Sequence, residues 1–301
     1  MLQQADNTVY IEGILNEIDL DPNATYTNKV TGKKMECIRG KIIVRVDTMV
    51  NGQKVVCYIP ISVFQNRYKK DGNLNPAYDS VKSVLTMNSV AAVGETDADG
   101  IRVSGASLST NYYVNKHTGK VVTSYPFIRA SFFNKKDRSQ LKPTAEFNCT
   151  CVVASQGYIT DKDGIETDKY RVKGIIPGWG GNIDVVDFVT TNKDGIDFIS
   201  TNWSNGDTVN VNGRLHFTST TKVERIPQDF GEPLERTRTT NVSDLVITSG
   251  SQATTAYDMD EINEALAARK AKMDQMEQAS KQENATPPAQ RSATDFSNFG
   301  F

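Results

Sequence analysis

The chain has 301 residues, of which 38% are hydrophobic and 23% charged, with a net charge of -2 at pH 7. At roughly 150 residues per domain this length fits two domains, and the apolar content excludes a wholly disordered chain. No stretch approaches the roughly 18 consecutive apolar residues of a membrane span, and two His with four Cys leave little material for metal or acid–base chemistry.

In chain order, the start from Met1 to Asp6 lacks the basic-then-apolar pattern of a secretory signal, so an intracellular, cytoplasmic protein without membrane contact is expected. From Val9 to Ser249 the chain is rich in β-branched and aromatic residues and punctuated by turn pairs such as Asn51-Gly52, Asp99-Gly100, Asp163-Gly164 and Asn212-Gly213. Strands are expected over Val9–Leu20, Met35–Thr48 and Gln53–Ser62, a helix over Pro76–Met87, then strands over Ile101–Val114 and Val121–Phe133. The plan recurs, with strands over Glu146–Thr160, Lys169–Ile176 and Asn182–Thr191, a helix over Asp194–Trp203, and strands over Asp207–Thr218 and Val242–Ser249. Three strands, a short helix and two strands is the element order of the OB-fold, a five-stranded Greek-key barrel. The fold class expected is therefore mainly β, with two OB-fold-like barrels in tandem over 1–140 and 141–256. A helical extension over 257–282 and a flexible tail over 283–301 follow, the tail being polar, Pro-containing and without periodicity.

Alternation along the strands sorts charge from core. Ile38, Ile42, Val44 and Val46 take one face of the second strand and leave Arg39, Lys41 and Arg45 on the other. Lys169, Arg171 and Lys173 oppose Tyr170 and Val172, and Arg214 with His216 opposes Leu215 and Phe217. Basic residues on a half-exposed strand can simply keep a barrel soluble, but aromatic neighbours favour a ligand. Single-strand binders need cations for phosphates and flat rings for bases. Tyr58, Tyr112 and Trp179 are the rings expected to stack, and Lys33, Lys34, Arg39, Arg45, Lys135, Lys136, Arg171, Lys173 and Arg214 the cations expected on phosphates. The segment Asn23–Lys34, with Tyr26 and Lys29, reads as a clamping loop between the first two strands. The long Thr220–Thr240 segment, of mixed charge, reads as either a second clamp or a solvated insertion.

Other chemistry is set aside on spacing. Cys149 and Cys151 share a strand face with Phe147 and Val153 and read as core. Cys37 and Cys57 lie in adjacent strands, where they can be neighbours but stay reduced inside a cell. There is no zinc-site spacing, His117 and His216 lack a nucleophile motif, and Gly178-Trp179-Gly180-Gly181 joins two strands rather than opening a helix. Asp161/Asp163 and Asp184/Asp187 read as turn and surface residues. No catalytic residue, cofactor or metal is expected. At the terminus, Asp295, Phe296, Phe299 and Phe301 place three rings where no core can take them, an arrangement suited to anchoring in another protein's pocket.

With these residues in view, the chain resembles bacteriophage-type single-stranded DNA-binding proteins, the SSB class. The resemblance rests on the paired barrel patterns, on Gly206-Asp207-Thr208-Val209-Asn210-Val211-Asn212-Gly213-Arg214-Leu215, and on a tail closing with phenylalanine. It implies a non-enzymatic protein that coats single-stranded DNA in replication, recombination or repair, with the tail recruiting partner proteins of those processes. Cellular members carry several aspartates before the last aromatics, whereas Asp295 stands alone here. Two barrels in one chain leave both a monomer and a homo-oligomer open. The rival readings are a β-rich structural or virion-type assembly protein indifferent to nucleic acid, and a nuclease whose acidic residues converge only in the fold.

Overall fold

Alternating apolar and polar residues, broken at Gly, Pro and Asn, build two barrels that share one pairing plan within a continuous sheet. The computed structural model describes residues 2–28, 31–50, 52–115, 118–226, 228, 230 and 234–285. The elements of the first half are β1 (Asn7–Thr27), β2 (Lys34–Val50), β3 (Gln53–Asn66), α1 (Pro76–Val84), α2 (Val90–Val93), β4 (Gly100–Ser109), β5 (Tyr112–Val114), β6 (Val121–Thr123), β7 (Phe127–Arg129) and β8 (Phe132–Lys136). Those of the second are β9 (Thr144–Thr160), β10 (Glu166–Pro177), β11 (Ile183–Thr190), α3 (Lys193–Asn202), β12 (Thr208–Ile226), β13 (Leu234–Gly250) and α4 (Met259–Ala285).

In the first barrel β1 pairs β2 and β2 pairs β3 antiparallel, β3 meets β7 in parallel, and β4 closes the circle onto both β7 and β1. In the second, β9, β10 and β11 run antiparallel, β11 meets β13 in parallel, and β12 joins β13 back to β9. A helix lies between the third and fourth barrel strands each time, which is the OB-fold order in both halves. The protein is thus mainly β, with two OB-fold barrels and a C-terminal helix. Pairing of β1 with β9 welds the barrels, and a single apolar core runs through both.

Inward residues are those expected from alternation. Ile38, Ile42, Val44 and Val46 on β2 and Cys57, Ile59, Ile61 and Val63 on β3 are buried, as are Phe147, Cys149, Cys151 and Val153 on β9. Burial pushes the Cys151 thiol up to about 12, so it stays protonated as a small apolar side chain. Gly40 lies between Arg39 and Lys41 on β2 with φ 144°, and a Cβ there would meet the Asp19 carbonyl oxygen at 2.1 Å. Only glycine tolerates both this approach and the positive φ.

Several expectations change. Asn23–Lys34 is largely hairpin rather than loop, since β1 continues to Thr27 across an irregularity between Asp21 and Ala24 and pairs Thr27 with Lys34. Within Thr220–Thr240, residues 220–226 and 234–240 likewise form a ladder, with Thr220 opposite Thr240 and Ile226 opposite Leu234. The strand expected over Ile101–Val114 is broken at Thr110 and Asn111, where the Asp184 carboxylate takes the Thr110 amide at 2.5 Å. That expected over Val121–Phe133 becomes three short strands, since Pro126 lacks the amide a ladder needs. Cys37 faces Asn66 and Cys57 faces Val46, so nine residues of β2, about 30 Å, separate two thiols that adjacency alone had placed together.

The C-terminal helix α4 docks outside the second barrel through Ile262, which packs with Leu2, Val152, Ile175 and Ile183. It continues onto the β5–β6 hairpin of the first barrel. No helix among the described residues is long and apolar enough to cross a membrane.

Candidate nucleic-acid interface

On the outward side of β2 and β3 the register sets cations directly across from rings. Arg39 lies opposite Phe64, Lys41 opposite Ser62, Ile43 opposite Pro60 and Arg45 opposite Tyr58. Directly opposed side chains have Cβ atoms roughly 4.5–5.5 Å apart, so each pair offers a charge and a flat surface together. Tyr58 is 39% and Phe64 44% exposed, far more than the strands' inward neighbours. Tyr26 on β1 packs tilted against Phe64 at 5.4 Å between ring centroids, bracing one ring of the row. From Arg39 to Arg45 the row is about 20 Å long, at roughly 3.3 Å per residue.

The cations in this row differ in their commitments. Arg45 is ion-paired with Asp47 and Glu95, each at 2.9 Å, and its side chain is only 14% exposed. The two carboxylates raise its already high pKa further. Arg39, with Lys33 and Lys34 at the β1–β2 turn, is exposed, and none of the three has a carboxylate within ion-pair distance among the described residues. Lys41 is partly buried and likewise unpaired among the described residues. Asp21 lies opposite Arg39 and Asp19 opposite Lys41 on the β1 side, an acidic border along one edge of the row. At the far end Arg67 binds Glu36 at 2.6 Å and its guanidinium sits 5.5 Å from the centre of the Tyr68 ring.

The β10–β11 face is the counterpart in the second barrel. Lys169 binds Asp244 at 2.6 Å and Arg171 approaches Asp187 at 4.0 Å. Lys173, opposite Asp187, has no ion pair among the described residues. The β5–β6 hairpin and α4 lie beside this face, tied to it where Asp184 accepts hydrogen bonds from the Thr110 amide and hydroxyl. Tyr112 is half-buried and the Arg269 guanidinium already lies 5.7 Å over its ring. Trp179, by contrast, is 73% exposed in the turn between β10 and β11, and Lys70 of the first barrel lies 5.9 Å from its ring centre.

The remaining expected cations lie elsewhere. Lys135 pairs with Asp99 at 2.8 Å and Lys136 with Glu12 at 3.1 Å, both on β8 beside β4. Burial pushes the Glu12 carboxyl up, but the Lys142 amide, Lys136 and Arg102 outweigh burial and hold it below the usual carboxylate range. Arg214 lines a 470 Å³ cleft between the barrels with Glu146, His216, Thr48 and Asn192. Thus Arg39, Tyr58, Lys33 and Lys34 belong to one barrel, Arg214 to a separate cleft, and Arg171 and Lys173 to the second barrel. His117 and the tail residues Asp295, Phe296, Phe299 and Phe301 lie outside the described residues.

Further residues complete the picture. Phe64, which the sequence groups with Arg67, Tyr68, Lys69 and Lys70 as a ring among cations, joins the first row through its register with Arg39, because β3 runs four residues beyond Ser62. Tyr125 is 89% exposed beside Pro126, and its Ser-Tyr-Pro setting, which no strand can pair through, was the available signal. Arg269 belonged to a helix read only as an extension.

The architecture and this surface define a tandem OB-barrel protein. The sequence matches the YorF family over residues 5–279, and the chain belongs to that family. Among solved structures, the wild-type single-stranded DNA binding protein from Thermus aquaticus aligns with a TM-score of 0.49 at 10% identity, over 85% of this chain and 97% of that chain. A deletion mutant of that protein aligns at 0.47 and 11%, over 85% of this chain and 98% of that chain. No curated protein matches the sequence.

Proposed function

We propose that this chain is a non-enzymatic binder of single-stranded DNA with weak sequence preference, and that the outward face of β2–β3 is its principal contact. The observation that carries this reading is the register that opposes Arg39 to Phe64 and Arg45 to Tyr58, with Lys33, Lys34 and Lys41 beside them and unpaired among the described residues. Cations neutralise phosphates and release counterions, while exposed rings accept any base face, which gives affinity without sequence readout. A duplex keeps its bases stacked inside, so the rings favour an unpaired strand. Arg45, Lys135, Lys136 and Arg171 contribute to the ligand only by exchanging a carboxylate for a phosphate.

Trp179 and Lys70 mark a route off the first barrel toward the second. In this reading the protein coats DNA strands in the cytoplasm during replication, recombination or repair, and Asp295, Phe296, Phe299 and Phe301 recruit partner proteins. The two barrels act as successive binding domains, over 1–140 and 141–256.

Titration with poly-dT at low salt, read by tryptophan fluorescence, tests the proposal. Trp203 is buried at 2% exposure, so quenching should persist in Trp203→Phe and vanish in Trp179→Phe. Absence of quenching together with absence of binding at low salt overturns the reading.

A further inference from the structure

A 350 Å³ cleft opens where the first barrel's β5–β6 hairpin, the second barrel's β10–β11 face and α4 converge, and its walls include Thr123, Ser124, Tyr125, Lys173, Asp187 and Arg269. The last helix thereby supplies a charged side chain to a face that the strand order makes equivalent to β2–β3. Arg269 is fixed in place: it donates to the Ile183 carbonyl at 2.9 Å and to the Thr110 and Thr123 hydroxyls at 3.4 Å. A guanidinium carries five N–H donors, so these three bonds leave two for a ligand. Neither Arg269 nor Lys173 has a carboxylate within ion-pair distance among the described residues, and Asp187 is shared with Arg171 at 4.0 Å. Tyr125, almost fully exposed on the rim, has no ring or cation against its faces among the described residues.

We infer that this cleft is a second subsite for the same strand, in which Arg269 and Lys173 hold one phosphate and Tyr125 stacks one base. It rests on the reading of β2–β3 as the principal contact and extends it, because α4 becomes part of the nucleic-acid surface rather than a connector. The guanidinium over Tyr112 and on three oxygen acceptors is pre-organised, so little of its rotational freedom remains to be lost on binding. Three separate chain segments meet in the cleft, so a strand bound there ties the hairpin, the second barrel and α4 together.

The test uses the full chain with oligo-dT of about 8 and about 30 nucleotides, spanning one and two barrels' worth of site. Tyr125→Ala, chosen because the ring is exposed and its loss spares the core, should weaken the longer oligomer about tenfold when combined with Lys173→Ala. That loss suits one stacked base, whereas binding of the shorter oligomer, which the first barrel's face can hold alone, should stay within about twofold. Arg269→Ala should act in the same direction. Photocrosslinking with bromodeoxyuridine in the longer oligomer should modify Tyr125 within the tryptic peptide Val121–Arg129. Unchanged affinity for the longer oligomer in the double variant, or adducts that spare the Val121–Arg129 peptide, overturns the subsite and leaves the β2–β3 reading standing. Failure of the unsubstituted chain to bind either oligomer overturns both.

Discussion

The outward faces of β2–β3 and β10–β11 occupy the same place in two barrels of one topology, yet they present different chemistry. On the first, Arg39 and Lys41 are unpaired among the described residues and stand beside two exposed rings. On the second, Lys169 and Arg171 are matched by Asp244 and Asp187, and a hairpin with a helix lies alongside. A repeated fold therefore does not repeat a site. What separates the faces is the partner each cation has, since an arginine already bound to carboxylate must give up that bond before it gains a phosphate.

The sharpest way to break this comparison is to destroy one face. Gly40→Ala would drive a methyl into the Asp19 carbonyl at a positive φ, and should lower stability by about 3 kcal/mol or more, read as an unfolding midpoint in urea. Removing Arg39 and Tyr58 together leaves the fold intact and should weaken oligo-dT binding about 100-fold, whereas Arg171→Ala should change it less than about threefold.

Glu12 tests the idea that carboxylates hold cations away from a ligand. Its side chain is nearly buried between Arg102 and Lys136, so Glu12→Gln should cost about 2 kcal/mol near neutral pH. Because its pKa is lower folded than unfolded, its stabilisation is full above the ordinary carboxylate range and is lost as pH falls through the folded value. The acid limb of a stability–pH profile should accordingly flatten in the variant. The smallest effect sharpens the comparison from the other side: Asp187→Asn frees Arg171 and leaves Lys173 less attracted to its neighbour, and should raise affinity for a long oligomer about threefold, read by fluorescence titration.

How far the sequence reached is seen in these same residues. Alternation alone put Ile38, Ile42, Val44 and Val46 inside and Arg39 and Lys41 outside, because the side-chain period of a strand is local. The order of strands and helices, also local, sufficed for two OB barrels. Pairing partners were not legible, because register and ion pairs depend on residues far apart in sequence. Arg45 meets Glu95 across 50 positions, and Lys136 meets Glu12 across 124. The same distance hid Arg269, which reaches Thr110 and Ile183 only after α4 has docked. Hairpins were mistaken for loops at Asn23–Lys34 and Thr220–Thr240 because polar, threonine-rich ladders lack the alternation that marks a half-buried strand.

The salt dependence of oligo-dT affinity tests the central claim most directly, since each phosphate neutralised on a single strand contributes about -0.7 to the slope of log affinity against log salt. Measured side by side, the unsubstituted chain should show a steep slope that Arg39→Ala and Lys41→Ala together reduce by about 1.4, while Arg45→Ala leaves it nearly unchanged. Equal slopes in the unsubstituted chain and the Arg39/Lys41 variant would contradict a strand bound on the β2–β3 face.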